Sequence, residues 1–163
     1  MNTVKILNTS ISETSVAEVS NLLNTENSLK VAICNTNTVV RSYRDDQLRK
    51  AINSFDIKTP DGFPIAKSSS ILYKNSQGRV DGYNVMLKTI TDGLSGNTSH
   101  YFYGSEDIVL TKLIAKLKND FPTLNIVGSF SPPVGTYEEL TEEKYIKNII
   151  EFARLEGLEP PTL

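Results

Sequence analysis

Cysteine and histidine are almost absent from this chain of 163 residues, which holds one of each, Cys34 and His100. A single cysteine excludes an intramolecular disulfide, and so small a supply of both excludes a Cys/His-rich structural zinc site. An excess of one charge is missing too: 17 Lys plus Arg stand against 19 Asp plus Glu, a formal net charge of -2. No overall basic field attracts duplex nucleic acid or anionic lipid, so no nucleic-acid partner is expected. Long apolar runs are also lacking. Residues 1–30 are polar and studded with Asn, Ser and Thr, without the apolar core of a signal peptide. No stretch approaches the roughly 20 apolar residues of a spanning helix. These absences predict a cytoplasmic protein whose contact with a membrane is peripheral.

What is present suits a folded α/β domain. Hydrophobic residues make up 39% and charged residues 22%, an ordinary globular composition, and the length fits one domain. Short runs rich in β-formers at residues 4–7, 29–33, 55–58, 100–103 and 125–130 read as strands. The clearest helical pattern covers residues 107–119, where Val109, Leu110, Leu113, Ile114 and Leu117 form one apolar stripe expected to pack on a sheet. Ser105 is its expected cap, with Glu106 and Asp107 in the first turn and Lys112, Lys116 and Lys118 later, the charge order a helix dipole favours. Further helices are predicted at residues 15–23, 45–52, 84–94 and 142–154. Alternation of this kind argues for a single domain with a largely parallel central sheet flanked by helices, and for ligands at the carboxyl ends of the strands. Residues 155–163, broken by Gly157, Pro160 and Pro161, read as a separate tail.

The segments just after the strands are therefore the candidate site. Asn35, Thr36, Asn37 and Thr38 form a polar cluster able to hydrogen-bond a sugar or phosphate, though by itself such a cluster is more often a loop or helix cap. Thr59-Pro60-Asp61-Gly62 is turn chemistry. Placed in a cleft, Asp61 would take a proton from an attacking hydroxyl as a general base. Gly104-Ser105-Glu106 joins a strand to a helix, where backbone N–H groups can receive a diphosphate, although the fuller glycine fingerprint is missing. Arg79 offers a planar fork of donors to a phosphate, or is a solvated surface charge. His100 and Cys34 have no partner motif and read as structural residues, so neither a metal site nor thiol chemistry is expected.

Taken in order, several segments resemble the WecG/TagA/CpsF glycosyltransferases, a family that builds bacterial surface polysaccharides and wall polymers. They are Asn35-Thr36-Asn37-Thr38-Val39-Val40, Asp56-Ile57-Lys58-Thr59-Pro60-Asp61-Gly62-Phe63-Pro64 and Gly78-Arg79-Val80-Asp81-Gly82-Tyr83-Asn84. Tyr101-Phe102-Tyr103-Gly104, Phe121-Pro122 and Ile126-Val127-Gly128-Ser129-Phe130-Ser131-Pro132-Pro133 follow. The resemblance implies a Rossmann-like fold, no cofactor, and metal-independent transfer with inversion. The donor it implies is a UDP-sugar carrying N-acetylmannosamine, its uronic acid or a hexose, and the acceptor a sugar on a polyprenyl diphosphate. It leaves open whether subunits pair as a homo-oligomer. It makes Asp61 the candidate base and Arg79 the partner of the donor diphosphate. It makes Asn35 a pocket residue that helps shape the donor site, while Thr36, Asn37, Gly104 and Ser105 are further candidate substrate-binding positions from their place after the strands.

Three departures stand out. Ile33 occupies a position where relatives often carry Thr, so its hydroxyl is expected to be lost or replaced by Thr36 or Thr38. Asn84 stands where many relatives have Asp. The Gly-x-Pro-Lys-Gln-Glu segment and the basic, apolar appendage that usually follow are not found in the sequence. The expectation is a catalytic domain over residues 1–154 that lacks its C-terminal strand and motif, with residues 155–163 outside the family. The alternative is a non-catalytic remnant that binds nucleotide without turnover.

Overall fold

A computed structural model describes residues 1–26, 28–135 and 147. The chain forms two compact units, Met1–Gly93 and Leu94–Leu163. The predicted helix at 142–154, apart from residue 147, and the tail at 155–163 lie outside the described residues.

The first unit opens on an antiparallel hairpin of β1 (Thr3–Ile6) and β2 (Thr9–Ser12), where the sequence predicts one strand. Leu7 and Asn8 turn the chain with φ of 47° and 64°, the paired left-handed conformation of a tight two-residue hairpin loop. Asn tolerates that region, whereas Leu does so only under strain, which is why the turn is hard to see in the sequence. Alternation along the hairpin directs Val4, Ile6 and Ile11 into a core with Cys34, Val39, Ile52 and Ile65.

Next come α1 (Val16–Thr25), β3 (Val31–Cys34), α2 (Thr36–Arg44), α3 (Asp46–Asn53), β4 (Ile57–Pro60), α4 (Phe63–Tyr73) and α5 (Gly82–Gly93). Ser15 caps α1 by accepting the Glu18 N–H at 3.2 Å, and Asp45 caps α3 by accepting those of Gln47 and Leu48. Strands β3 and β4 pair in parallel, from Val31 opposite Ile57 to Cys34 opposite Pro60. Ala32 and Cys34 face the hairpin core, while Val31 and Ile57 face a second core with Val19, Val80 and Val85. The pair thus separates two apolar layers, which is where parallel strands belong. Helices α1 and α5 pack together on the second layer. Ser20 Oγ donates to Asp92 at 2.6 Å and Asn24 Nδ2 donates to the Thr89 carbonyl at 3.3 Å across that contact.

The second unit carries β5 (Ser99–Tyr103), α6 (Asp107–Asp120) and β6 (Asn125–Phe130), a strand–helix–strand unit with parallel pairing and one register shift at His100/Tyr101. Helix α6 packs on β6 and buries Leu110 and Leu117, with Leu113 and Ile114 half-buried. Val109, expected within the stripe, is 47% exposed. The buried seam follows the seven-residue step from Leu110 to Leu117, and Val109 lies one residue, about 100°, off that line. Ser105 does not cap the helix. Its φ is 71°, Glu106 holds the cap position without a side-chain bond, and the Ser105 carbonyl accepts the Ser131 hydroxyl at 2.7 Å.

Strands and helices alternate as in a Rossmann-like α/β fold. Among the described residues the strands form three pairs, two parallel and one the antiparallel hairpin. The hairpin is tied to β4 by the Lys58 N–H, which donates to Ser12 Oγ at 3.0 Å.

Two stability predictions follow from the first unit. Ile90 of α5 is fully buried, so Ile90→Ala should destabilise the protein by about 2–5 kcal/mol, read as a lower urea midpoint by circular dichroism. Asp81 precedes α5 and accepts the Asn84 N–H at 3.1 Å and Asn84 Nδ2 at 2.7 Å. The Asn84 side chain, then its backbone N–H, and to a smaller extent Arg79 hold the Asp81 carboxyl below its ordinary value of 3.8. A pKa depressed by folding contributes stability that is present above that ordinary value and is lost as pH falls through the folded one. Asp81→Ala should therefore lose about 1 kcal/mol at pH 7. Its deficit against wild type should narrow below the ordinary value of 3.8, and a deficit unchanged with pH would exclude the carboxylate as its cause.

Candidate active site

The carboxyl ends of β3 and β4 lie side by side, so the residues that follow them emerge together. The Asp61 N–H donates to the Cys34 carbonyl at 3.1 Å and the Val80 N–H to the Pro60 carbonyl at 3.1 Å. The second bond lays residues 79–81 along the end of β4. Arg79 Nε consequently stands 3.5 Å from Asp61 Oδ1 and 3.6 Å from Asp81 Oδ2. The side chains of Asp61 and Asp81 are 20% and 10% exposed, that of Arg79 59%. One guanidinium thus bridges two carboxylates and shows much of itself to solvent. Partly exposed ion pairs of this kind contribute about 0–1 kcal/mol, so the cluster adds little to stability.

Beyond Asp61 the chain turns at Gly62, with φ 91°, and enters α4 with Pro64 in the first turn. Glycine is needed for that φ, and proline suits a first turn whose N–H groups have no intrahelical acceptor. The predicted turn is therefore real, and a helix the sequence did not announce begins directly after it. Asn35 is a helix cap: its Oδ1 accepts the Thr38 N–H at 3.0 Å and the Thr38 hydroxyl at 3.2 Å. Thr36 and Asn37 are exposed in the first turn of α2. Of the two hydroxyls expected to replace a threonine at position 33, that of Thr38 is thus committed to the cap. Across the ladder from Ile33 stands Thr59, fully buried, whose hydroxyl has no partner among the described residues.

Gly104 and Ser105 lie in the second unit, in the β5–α6 turn. The Gly104 N–H donates to the Phe130 carbonyl at 3.0 Å, which removes it from the donors open to an anion. His100 is half-buried in β5, and burial pulls its pKa below 6.5. Cys34 is fully buried. Its thiol is pushed up to about 11, chiefly by burial, with Lys58 pulling down and Asp61 pushing up.

Two residues of this region escaped the sequence reading. Lys58 is buried, with Nζ donating to the Phe55 carbonyl at 2.6 Å, although a lysine in a strand pattern ordinarily reads as a solvated face. Asp81 joins Asp61 only through Arg79, and no local pattern predicts that. Among the described residues no three His, Cys, Asp or Glu side chains are grouped as a metal ion would need.

The sequence profile of the Glycosyl transferase WecG/TagA/CpsF family matches residues 4–154. The N-acetylglucosaminyldiphosphoundecaprenol N-acetyl-beta-D-mannosaminyltransferase of Bacillus spizizenii is 29% identical over 77 residues, 47% of this chain and 30% of that enzyme. The match to this relative thus spans less than a third of its length. The family profile, by contrast, runs through both strand-end segments that hold Asn35 and Asp61, through the Arg79 segment, and on past β6, and on that match the chain belongs to the Glycosyl transferase WecG/TagA/CpsF family.

Proposed function

We propose that the protein is an inverting glycosyltransferase that moves a sugar from a UDP-sugar to a hydroxyl of a sugar carried on a polyprenyl diphosphate. The observation that carries this reading is the Asp61–Arg79–Asp81 cluster at the carboxyl ends of a parallel strand pair, in a chain of this family. Strand carboxyl ends are where α/β folds bind their ligands. A carboxylate that is partly open to solvent, on a residue whose backbone N–H is bonded in place, is suited to receive a proton from an incoming hydroxyl.

In this mechanism the acceptor oxygen attacks the anomeric carbon from the face opposite the diphosphate. Asp61 takes the hydroxyl proton as the new C–O bond forms. The bond to the diphosphate oxygen breaks, and its electron pair leaves with UDP. Arg79 steadies that charge with its fork of donors. In the free protein the same guanidinium sits between two carboxylates, so the diphosphate competes with Asp61 for it. Negative charge brought close to a carboxylate favours its taking a proton, which aids a base. Asn35, Thr36 and Asn37, at the end of β3, offer polar groups to the donor sugar. The name of the Bacillus relative supports N-acetylmannosamine as the sugar moved and a lipid-diphosphate-linked N-acetylglucosamine as acceptor. An acceptor of that kind implies work at the inner face of the plasma membrane. Among the described residues no helix is long and apolar enough to cross a membrane.

Asp61→Asn keeps the shape of the side chain and removes its basicity. UDP release should fall by about 100- to 10,000-fold, while calorimetric affinity for UDP is retained. Arg79→Ala should weaken UDP binding. A normal rate for Asp61→Asn leaves Asp61 as a turn residue only, and unchanged UDP affinity in Arg79→Ala removes Arg79 from the donor site.

A further inference from the structure

The two carboxylates of the cluster belong to matching triplets, Asp61-Gly62-Phe63 and Asp81-Gly82-Tyr83. Each triplet stands where the chain enters a helix, α4 beginning at Phe63 and α5 at Gly82. The bond from the Val80 N–H to the Pro60 carbonyl joins the segments that lead into these helices, and both carboxylates approach the same Arg79 Nε. The aromatic residues that complete the triplets have no place in either core. Phe63 is 72% exposed and Tyr83 65% exposed, while Ile65, Ala66 and Val85 do the burying in the first turns of these helices. Two exposed rings in the triplets that carry the clustered carboxylates offer apolar faces next to polar groups.

We infer that Phe63 and Tyr83 form the stacking surface for the pyranose ring of the acceptor sugar. This rests on the proposed role of Asp61 as base. The hydroxyl that Asp61 deprotonates must come within about 2.6–3.2 Å of its carboxylate. The ring bearing that hydroxyl then lies over the residues next to Asp61, and Phe63 is two positions away. A pyranose has a face of C–H groups and a rim of hydroxyls. The electron-rich face of an aromatic ring attracts the first. Carboxylates, acceptors in fixed planes, satisfy the second. The nucleobase is not the natural occupant. Inversion puts the acceptor hydroxyl and the departing diphosphate on opposite faces of the anomeric carbon, so rings on the acceptor side of Asp61 meet the acceptor, while Arg79 reaches across to the diphosphate.

The test uses the full chain and a soluble probe, N-acetylglucosaminyl diphosphate with a short alkyl tail, titrated by NMR in parallel with UDP. Phe63→Ala and Tyr83→Ala should each weaken probe binding by about 5-fold or more, the return expected from losing one aromatic stack. Both should leave UDP affinity within about 2-fold, because neither ring faces the donor in this arrangement. Phe63→Tyr and Tyr83→Phe keep the ring and should bind the probe as wild type does. Exposure of both side chains makes loss of folding a poor explanation for any of these effects, and circular dichroism checks it. Probe affinity unchanged in both alanine variants, no probe binding by wild type, or a loss confined to UDP would each overturn the inference. Failure of the base reading looks different: Asp61→Asn would then turn over normally while the alanine variants still lost the probe.

Discussion

One backbone hydrogen bond, from the Val80 N–H to the Pro60 carbonyl, decides where the charged groups of this protein meet. The parallel pairing of β3 and β4 brings Asn35 and Asp61 to a common edge, but Arg79 and Asp81 arrive only because the segment before α5 is drawn along the end of β4. Val80 is itself buried in the layer between β4 and the α1–α5 pair. Hydrophobic burial therefore anchors the very residue whose neighbours carry charge, so that one side of the segment faces the core and the other supplies the charged cluster of the candidate site. Packing, worth several kcal/mol per large side chain, fixes a cluster whose own ion pairs contribute about 0–1 kcal/mol.

The asymmetry of exposure within the cluster matters for chemistry. Asp81 is the more enclosed carboxylate and is held by Asn84 through both backbone and side chain. Asp61 is the more open one, and Arg79 the most open of the three. A fixed carboxylate, an accessible carboxylate and a solvent-facing cation are thus graded from the protein outward. Groups meant to exchange partners belong at the outer end of such a series, where desolvation has not already committed them.

Much of the fold was legible in the sequence, and the misses have physical causes. Strand β6 has the bounds its pattern predicted, α6 differs by a residue at its end, and α1 and α3 begin behind the cap-forming Ser15 and Asp45. Strand β2 was hidden because Leu7 occupies a left-handed turn position that normally advertises itself with Gly or Asn. Helix α2 was only half visible, because Asn35-Thr36-Asn37-Thr38 reads as a loop or a helix cap, and the cap geometry shows that the second reading holds. Helix α4 was hidden behind a real turn. Val109 and Ser105 were misplaced because a stripe and a capping residue can each be shifted by one position without any change in local pattern. The order of motifs along the chain points to Asp61 and Arg79 as candidates, and the structure brings the two side chains within 3.5 Å of each other. Asp81 as their partner, buried Lys58, and the exposed Phe63 and Tyr83 depend on which segments meet in space, which the sequence does not state.

The lone cysteine has a practical consequence. With Cys34 buried at the end of β3 and its thiol raised to about 11, the thiolate fraction at neutral pH is on the order of one in ten thousand, and it is the thiolate that reacts. The folded protein is therefore silent toward alkylating reagents. Any label that does appear on Cys34 reports an opening of the β3–β4 edge, and its rate follows how often that edge separates. Because the native thiol stays silent, a cysteine placed elsewhere on the surface can carry a fluorophore without first removing Cys34 from the core it helps to fill.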